Sequence, residues 1–239
     1  STNKRLIGGI NHESSLQVKE IYKKICDSEI HITDSQTAEL VKLAENSYRD
    51  LNIAFANELS MISNKLGIDV NKVINFTNHH PRVNILRPGC GVGGHCIALD
   101  PWFLISQFPA DTQIMQMSRK VNTYKTEWTI NQINNCIQKQ KVEIQNNPSI
   151  GVFGLTFKAN VNDLRESPAL KIAKELSKKN KTFFCDPCIS ESNDLVTYSI
   201  EETLCNSDIL VFLVAHNEFK RINVSGKKFL DFCGLFDEI

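Results

Sequence analysis

The stretch Ser149-Ile-Gly-Val-Phe-Gly-Leu-Thr-Phe157 decides the fold. It is a short apolar run between the turn-forming Asn146-Asn147-Pro148 and the polar Lys158–Asp163, and so reads as a strand covered on both faces, as in a parallel sheet. "SPALKIAKELSKKN" (167–180) follows as a helix with Pro168 in its first turn. "KTFFCDP" (181–187) is a second strand and "DILVFLVAHN" (208–217) a third. Strand, helix and strand at this spacing imply parallel pairing with right-handed crossovers. Ligands of such sheets sit beyond the carboxyl ends of the strands. Here those ends carry "TFKANVND" (156–163), "CDP" (185–187) and "AHNEF" (215–219). The glycines of "GVFGLTF" do not complete G-x-G-x-x-G, and no acidic residue follows at the expected distance, so this segment alone does not announce a dinucleotide.

Upstream the texture is different. From Asp34 the chain runs without Pro or Gly to Gly67, a helix of eight or nine turns with Asp34 or Ser35 as its N-cap. A shorter helix is expected at 70–77 and a second long one at 112–143. The latter carries Ile114, Met117, Val121, Tyr124 and Trp128 at steps of three and four, the seam of helix against helix. Two such helices suit either a homodimer core or packing within one chain. The start reads as strand ("KRLIGGI"), helix (Leu16, Ile21 and Ile25 on its apolar side) and strand ("EIHIT"), the tail of an α/β unit. The expected fold class is therefore α/β, in three parts. Residues 1–33 form the remnant of an α/β domain, 34–145 a helical dimerisation domain, and 146–239 a Rossmann-like parallel-sheet domain.

The 239 residues balance 27 basic against 27 acidic side chains, so no global field draws in nucleic acid or a membrane surface. No apolar run reaches membrane-spanning length and no secretory signal opens the chain. The eight cysteines follow no disulfide framework and read as reduced thiols of a cytoplasmic protein. The lone C-x-x-C, Cys185–Cys188, reads as turn residues after a strand.

Between the long helices lies "GCGVGGHCIALDPW" (89–102). Glycines 89, 91, 93 and 94 would let backbone N–H groups crowd a bound group, and such donors both favour a thiolate and hold phosphate. Cys96 is thus the candidate nucleophile and Cys90 filler. A metal site from Cys90, His95 and Cys96, with His79 and His80, lacks ligand spacing, and no metal is expected. Lys42 and Asn46 share one helix face; Lys42 is either buried to steady developing negative charge or exposed beside Glu45. Arg82, Arg87, Lys158 and Arg165 flank the loop and the first strand end, where together they suit a diphosphate.

Three motifs carry a resemblance. "AELVKLAENSYRDLNIAFANEL" (38–59), "HPRVNILRPGCGVGGHCIALDPWFL" (80–104) and "GLTFKANVNDLRESPAL" (154–170) are similar to the UDP-glucose/GDP-mannose dehydrogenases. Within that family, "HPRVNIL" and "GGHCIALDPWF" are closest to the enzymes acting on UDP-N-acetyl-D-mannosamine. The resemblance implies NAD-dependent, two-step oxidation of a sugar C6 alcohol to a carboxylate, for bacterial surface polysaccharide. The UDP-glucose and UDP-N-acetylglucosamine enzymes are the nearest alternatives, and a non-catalytic UDP-sugar-binding or dimerisation module is another. Cys96 would trap the aldehyde as a thiohemiacetal on its way to a thioester, a task suited to a thiolate. By the same resemblance Lys42, Asn46 and Asp100 steady the oxyanion or order the water. Leu86, Arg87, Gly89, Gly91, Gly93 and Gly94 wrap the UDP-sugar, Arg82 reaches a neighbouring subunit's substrate, Phe157 and Lys158 bind substrate, and Arg165 faces the cofactor. The family's N-terminal G-x-G-x-x-G domain is not in this sequence, so the chain is expected to be a fragment inactive by itself. Cys90 stands where the family has proline, and "FLDFCGLFDEI" lacks an arginine usual after its aspartate.

Overall fold

The computed structural model describes residues 3–189 and 196–236. Strand β1 (Arg5–Gly9) and strand β2 (Ile30–Asp34) pair in parallel, joined by helix α1 (His12–Lys23). Asn11 caps α1 by accepting the Ser14 N–H. The expected apolar side of α1 is not its buried side: Leu16, Ile21 and Ile25 are 43%, 60% and 73% exposed. Ser15 is buried instead, its Oγ accepting the Gly9 N–H where a Cβ on Gly9 would strike it. Two strands offer too little surface to cover the rest of the helix.

Helix α2 (Ser35–Leu66) starts at Asp34, whose side chain accepts the Thr37 N–H, and stops at Gly67 in the left-handed region. Helix α3 (Val70–Thr77) follows as expected. An unanticipated helix, α4 (Asp100–Gln107), grows from Asp100-Pro101; at eight residues its pattern is too brief to read against the preceding glycines. Helix α5 (Gln113–Ile144) lies within a residue of its expected bounds.

The contact between α2 and α5 is polar. Asn57 donates to Asn122, Asn122 and Arg119 donate to the buried Asp50, and Lys125 Nζ donates to Ser60 at 2.6 Å. The seam read from sequence faces outward: Ile114, Met117 and Tyr124 are more than half exposed, with Val121 and Trp128 half-buried. Among the described residues, Ile114, Met117 and Tyr124 are thus not buried by packing within the chain. Apolar residues of α2, Tyr48 and Phe55, join Ile114 and Met117 along a groove of about 500 Å³ that Arg82 also lines.

The last part is a four-stranded parallel sheet in the order β4–β3–β5–β6. Strand β3 (Ile150–Phe153), helix α6 (Pro168–Ser177), strand β4 (Thr182–Cys185) and strand β5 (Ile209–Phe212) match the reading. Helix α7 (Ile200–Cys205), one turn and a half, and edge strand β6 (Lys228–Asp231), half exposed, went unforeseen. Ile150, Val152, Ile209 and Val211 meet Ile172 and Leu176 of α6 on one side of the sheet. Phe153 and Phe212 stack at 4.7 Å on the other, with Phe219 edge-on. The strands have no exposed apolar face to alternate against, hence their continuous apolar runs. The last three residues of "FLDFCGLFDEI" lie outside the described residues. No described helix is long and apolar enough to cross a membrane.

Candidate active site

The glycine loop is a joint between the helices and the sheet. A Cβ on Gly91 would lie 2.5 Å from Thr126 Oγ1; on Gly93, 2.5 Å from the Glu166 carbonyl oxygen; on Gly94, 2.7 Å from the Phe157 ring. The Gly89 N–H donates to Asn57 and the Gly94 N–H to the Arg165 carbonyl. These glycines therefore make room for protein, and two of the amides expected to crowd a ligand are spent within the chain. That narrows the cradle read from the sequence: close approach is needed at Gly91, Gly93 and Gly94, and the neighbours there are Thr126, Phe157, Glu166 and Pro168.

The loop delivers Cys96 exposed, at the turn before α4, its carbonyl accepting the N–H groups of Leu99 and Asp100. Cys90 is buried, and burial pushes its thiol up to about 12. Asp100 joins this turn to α2 through Asn46, which is buried. Lys42 takes the exposed alternative: one turn earlier on α2, it pairs with Glu45 at 3.2 Å and does not reach the Asn46–Asp100 pair. Arg165 approaches from the other side. Exposed and forked onto Asp163, it holds that carboxyl down to about 2 by hydrogen bonding and lies within Coulombic reach of Cys96.

The remaining expected residues spread along this joint. Phe157 is half-buried against Gly94, and Lys158 beside it is exposed. The Leu86 N–H is held by Asn52, and Arg87 donates to Asn71 and Asn75. Arg82 is exposed at the outward helical groove. Cys96, Asn46, Asp100, Phe157 and Arg165 are brought together; Lys42, Arg82 and Arg87 are not.

Sequence reading missed a buried cluster at the strand ends. His216 is fully buried, its Nε2 3.2 Å from Asp186 Oδ2 and 3.1 Å from Thr156 Oγ1. Asp186 Oδ2 also accepts the N–H groups of Leu155 and Thr156, and Oδ1 that of Cys188. Burial raises the Asp186 carboxyl, but the His216 and backbone hydrogen bonds outweigh it and leave it below its ordinary value. Asp186, Cys188 and His216 offer ligand atoms within 4.8 Å of one another. His216 Nδ1, the ring atom 3.5 Å from Cys188 Sγ, already accepts the Asn160 N–H, so the set is a closed hydrogen-bonded network. Its signal was the three strand ends, which contribute Thr156, then Asp186 with Cys188, then His216.

Comparison with known proteins accords with this architecture. Residues 36–124 match the central-domain model of the UDP-glucose/GDP-mannose dehydrogenase family, and residues 151–238 its UDP-binding-domain model. The chain is 43% identical over 235 residues to the UDP-N-acetyl-D-mannosamine dehydrogenase of Escherichia coli K12, covering 92% of this chain and 55% of that protein. It is 41% identical to the Campylobacter jejuni protein of that name, covering 97% and 57% respectively. The chain thus spans about half the length of the relatives it matches. Among solved structures, the UDP-D-ManNAc dehydrogenase of Pyrococcus horikoshii superposes with a TM-score of 0.88 at 31% identity, covering all of this chain and 58% of that one. The UDP-N-acetyl-mannosamine dehydrogenase of S. aureus superposes with a TM-score of 0.84 at 35% identity, covering all of this chain and 57% of that one. With its central and UDP-binding domains matched in order along one α/β fold, the chain belongs to the UDP-glucose/GDP-mannose dehydrogenase family.

Proposed function

We propose that this chain supplies the nucleophile and the UDP-sugar site of an NAD-dependent UDP-sugar 6-dehydrogenase. The substrate read from the relatives it matches is UDP-N-acetyl-D-mannosamine, oxidised at C6 to the uronate in the cytoplasm, for surface polysaccharide. The carrying observation is Cys96, an exposed thiol between the Asn46–Asp100 link and the Phe157–Arg165 segment. A Cys96 thiolate would add to the C6 aldehyde, forming a C–S bond and an oxyanion that takes a proton, a thiohemiacetal. Water would later displace the sulfur from a thioester, with Asp100 orienting that water and Asn46 fixing Asp100. Lys42 would join them only by leaving Glu45. Phe157, Lys158 and the loop from Leu86 to Gly94 would hold the UDP-sugar.

NAD supplies the hydride acceptor when bound. The described residues do not fit a dinucleotide cradle: a Cβ on Gly8 or Gly9 would strike Ala38, Ser14 or Ser15, and the Leu155 and Thr156 amides are spent on Asp186. Arg165 would face the cofactor. The same observation favours a second reading, UDP-sugar binding without NAD dependence. The outward groove of α2 and α5 supports a homodimer in which Arg82 reaches the partner's substrate.

Two measurements decide. Calorimetry of this chain with UDP should show binding that Lys158→Ala weakens; no binding overturns the substrate site. The protein containing this chain, assayed on a panel of UDP-sugars, should reduce NAD and lose that activity with Cys96→Ser. Full activity of Cys96→Ser overturns the covalent route, and UDP binding without any NAD reduction selects the second reading.

A further inference from the structure

We infer that His216, anchored on Asp186, is a positioning residue that sets the conformation of the Phe157–Asn160 turn and thereby the hold on the UDP diphosphate. The inference rests on the proposal that Phe157 and Lys158 bind that group.

Asn160 is a non-glycine residue in the left-handed region at φ 60°. Asn tolerates that region better than most residues, at a cost of about 1 kcal/mol or more, so it persists only where surrounding contacts determine it. Two contacts do. The Asn160 N–H donates to His216 Nδ1 at 3.1 Å, and its Oδ1 accepts the Asn217 N–H at 3.0 Å. Both partners lie on the stretch leaving β5, so the turn after β3 is pinned to its neighbouring strand end.

The pin fixes the imidazole's state. Since Nδ1 accepts a backbone N–H, the ring proton of neutral His216 lies on Nε2, facing Asp186 Oδ2 and Thr156 Oγ1. Thr156 in turn donates its hydroxyl proton to the Lys158 carbonyl at 3.0 Å. A single buried ring thus holds the turn at both ends, through Thr156 to the Lys158 backbone and through Nδ1 to Asn160. Asp186 holds the ring and also takes the Leu155 and Thr156 amides. Phe157 and Lys158 sit between these anchors, with Phe157 against Gly94 of the loop that leads to Cys96.

Two substitutions separate the ring's two ends. His216→Gln keeps a donor near Asp186 and loses the acceptor for Asn160; His216→Asn keeps that acceptor and loses the link to Asp186. UDP affinity of this chain is read by calorimetry and stability by thermal melting. Both variants should melt lower. His216→Gln should bind UDP roughly tenfold more weakly, about one hydrogen bond's worth, while His216→Asn binds within about threefold of the unsubstituted chain. In a cycle with Lys158→Ala, the effect of His216→Gln on affinity should largely vanish. If both folded variants bind UDP like the unsubstituted chain, or the cycle is additive, the positioning role is overturned while the UDP site stands. If the unsubstituted chain binds no UDP, the proposed site itself has failed. Should the single variants not fold, Asn160→Gly, which relieves the strain and removes one pin, replaces them under the same criteria.

Discussion

Asn46 Nδ2 donates to Asp100 Oδ2 at 2.5 Å, across 54 residues of sequence, and so ties the middle of α2 to the first turn of α4. Asn46 is buried and Asp100 half-buried, so the bond is sheltered from competing water. Asn46→Ala is expected to lower stability in urea by about 1–2 kcal/mol, because the carboxylate loses its partner without regaining full hydration. Asp100→Asn, which can still bond through its amide, should cost less. Equal losses would show that packing at Asn46, and not the bond, holds α4.

Gly93→Ala should destabilise by about 1–3 kcal/mol, since its Cβ would lie 2.5 Å from the Glu166 carbonyl oxygen and 2.8 Å from Pro168 Cδ. Gly93 does not have a positive φ, so the loss would be steric alone. Gly226→Ala is the control: φ is +75° but nothing lies within 4 Å, so only backbone strain of about 1 kcal/mol is expected. Chemical denaturation of the two variants ranks them, and a Gly93→Ala chain as stable as the parent would refute the docked loop.

Thiol labelling should follow exposure. Under native conditions iodoacetamide is expected to modify Cys96 and Cys205, while Cys90, Cys136 and Cys185 react only after unfolding. Burial pushes the thiols of Cys90 and Cys185 up to about 12, which slows them further. Peptide mass spectrometry reads the sites, and a Cys96 that resists labelling would contradict its exposed position.

The proposed homodimer predicts that Phe55→Asp with Met117→Asp yields a monomer by sedimentation while leaving the helical circular dichroism unchanged. Both side chains are at least half exposed in the single chain, so charge there disturbs no internal packing. A parent chain that is itself monomeric would remove the dimer.

Lys125 predicts a pH dependence. Burial lowers its ammonium to about 8, with Nζ on Ser60 and 3.9 Å above the Trp128 ring. The unfolded chain therefore binds this proton more tightly than the folded chain, and stability rises with pH between about 8 and the ordinary lysine value. Lys125→Met should flatten that rise in urea titrations at stepped pH. An unchanged slope would assign the dependence to another group.

Much of this was legible because periodicity and breakers coincide. Gly67 ends α2, Pro168 opens α6, and the apolar runs of β3 and β5 admit only a sheet covered on both faces. The edge strand β6, half exposed, and the short helices α4 and α7 lack that redundancy. The site was legible as chemistry but less so as geometry: a glycine reports that something comes close without saying whether it is a phosphate or a phenylalanine. His216 escaped because nothing in "AHNEF" marks a ring that will be fully enclosed, with one partner 30 residues away on another strand end and a second 56 away.

The Gly94 N–H clasps the Arg165 carbonyl two residues before Cys96. The Cys96 sulfur, the proposed nucleophile, is therefore registered against the parallel sheet as much as against the helix it precedes. Lengthening the 158–164 connection by even one residue would shift Cys96 bodily, with every side chain in the helical half left untouched.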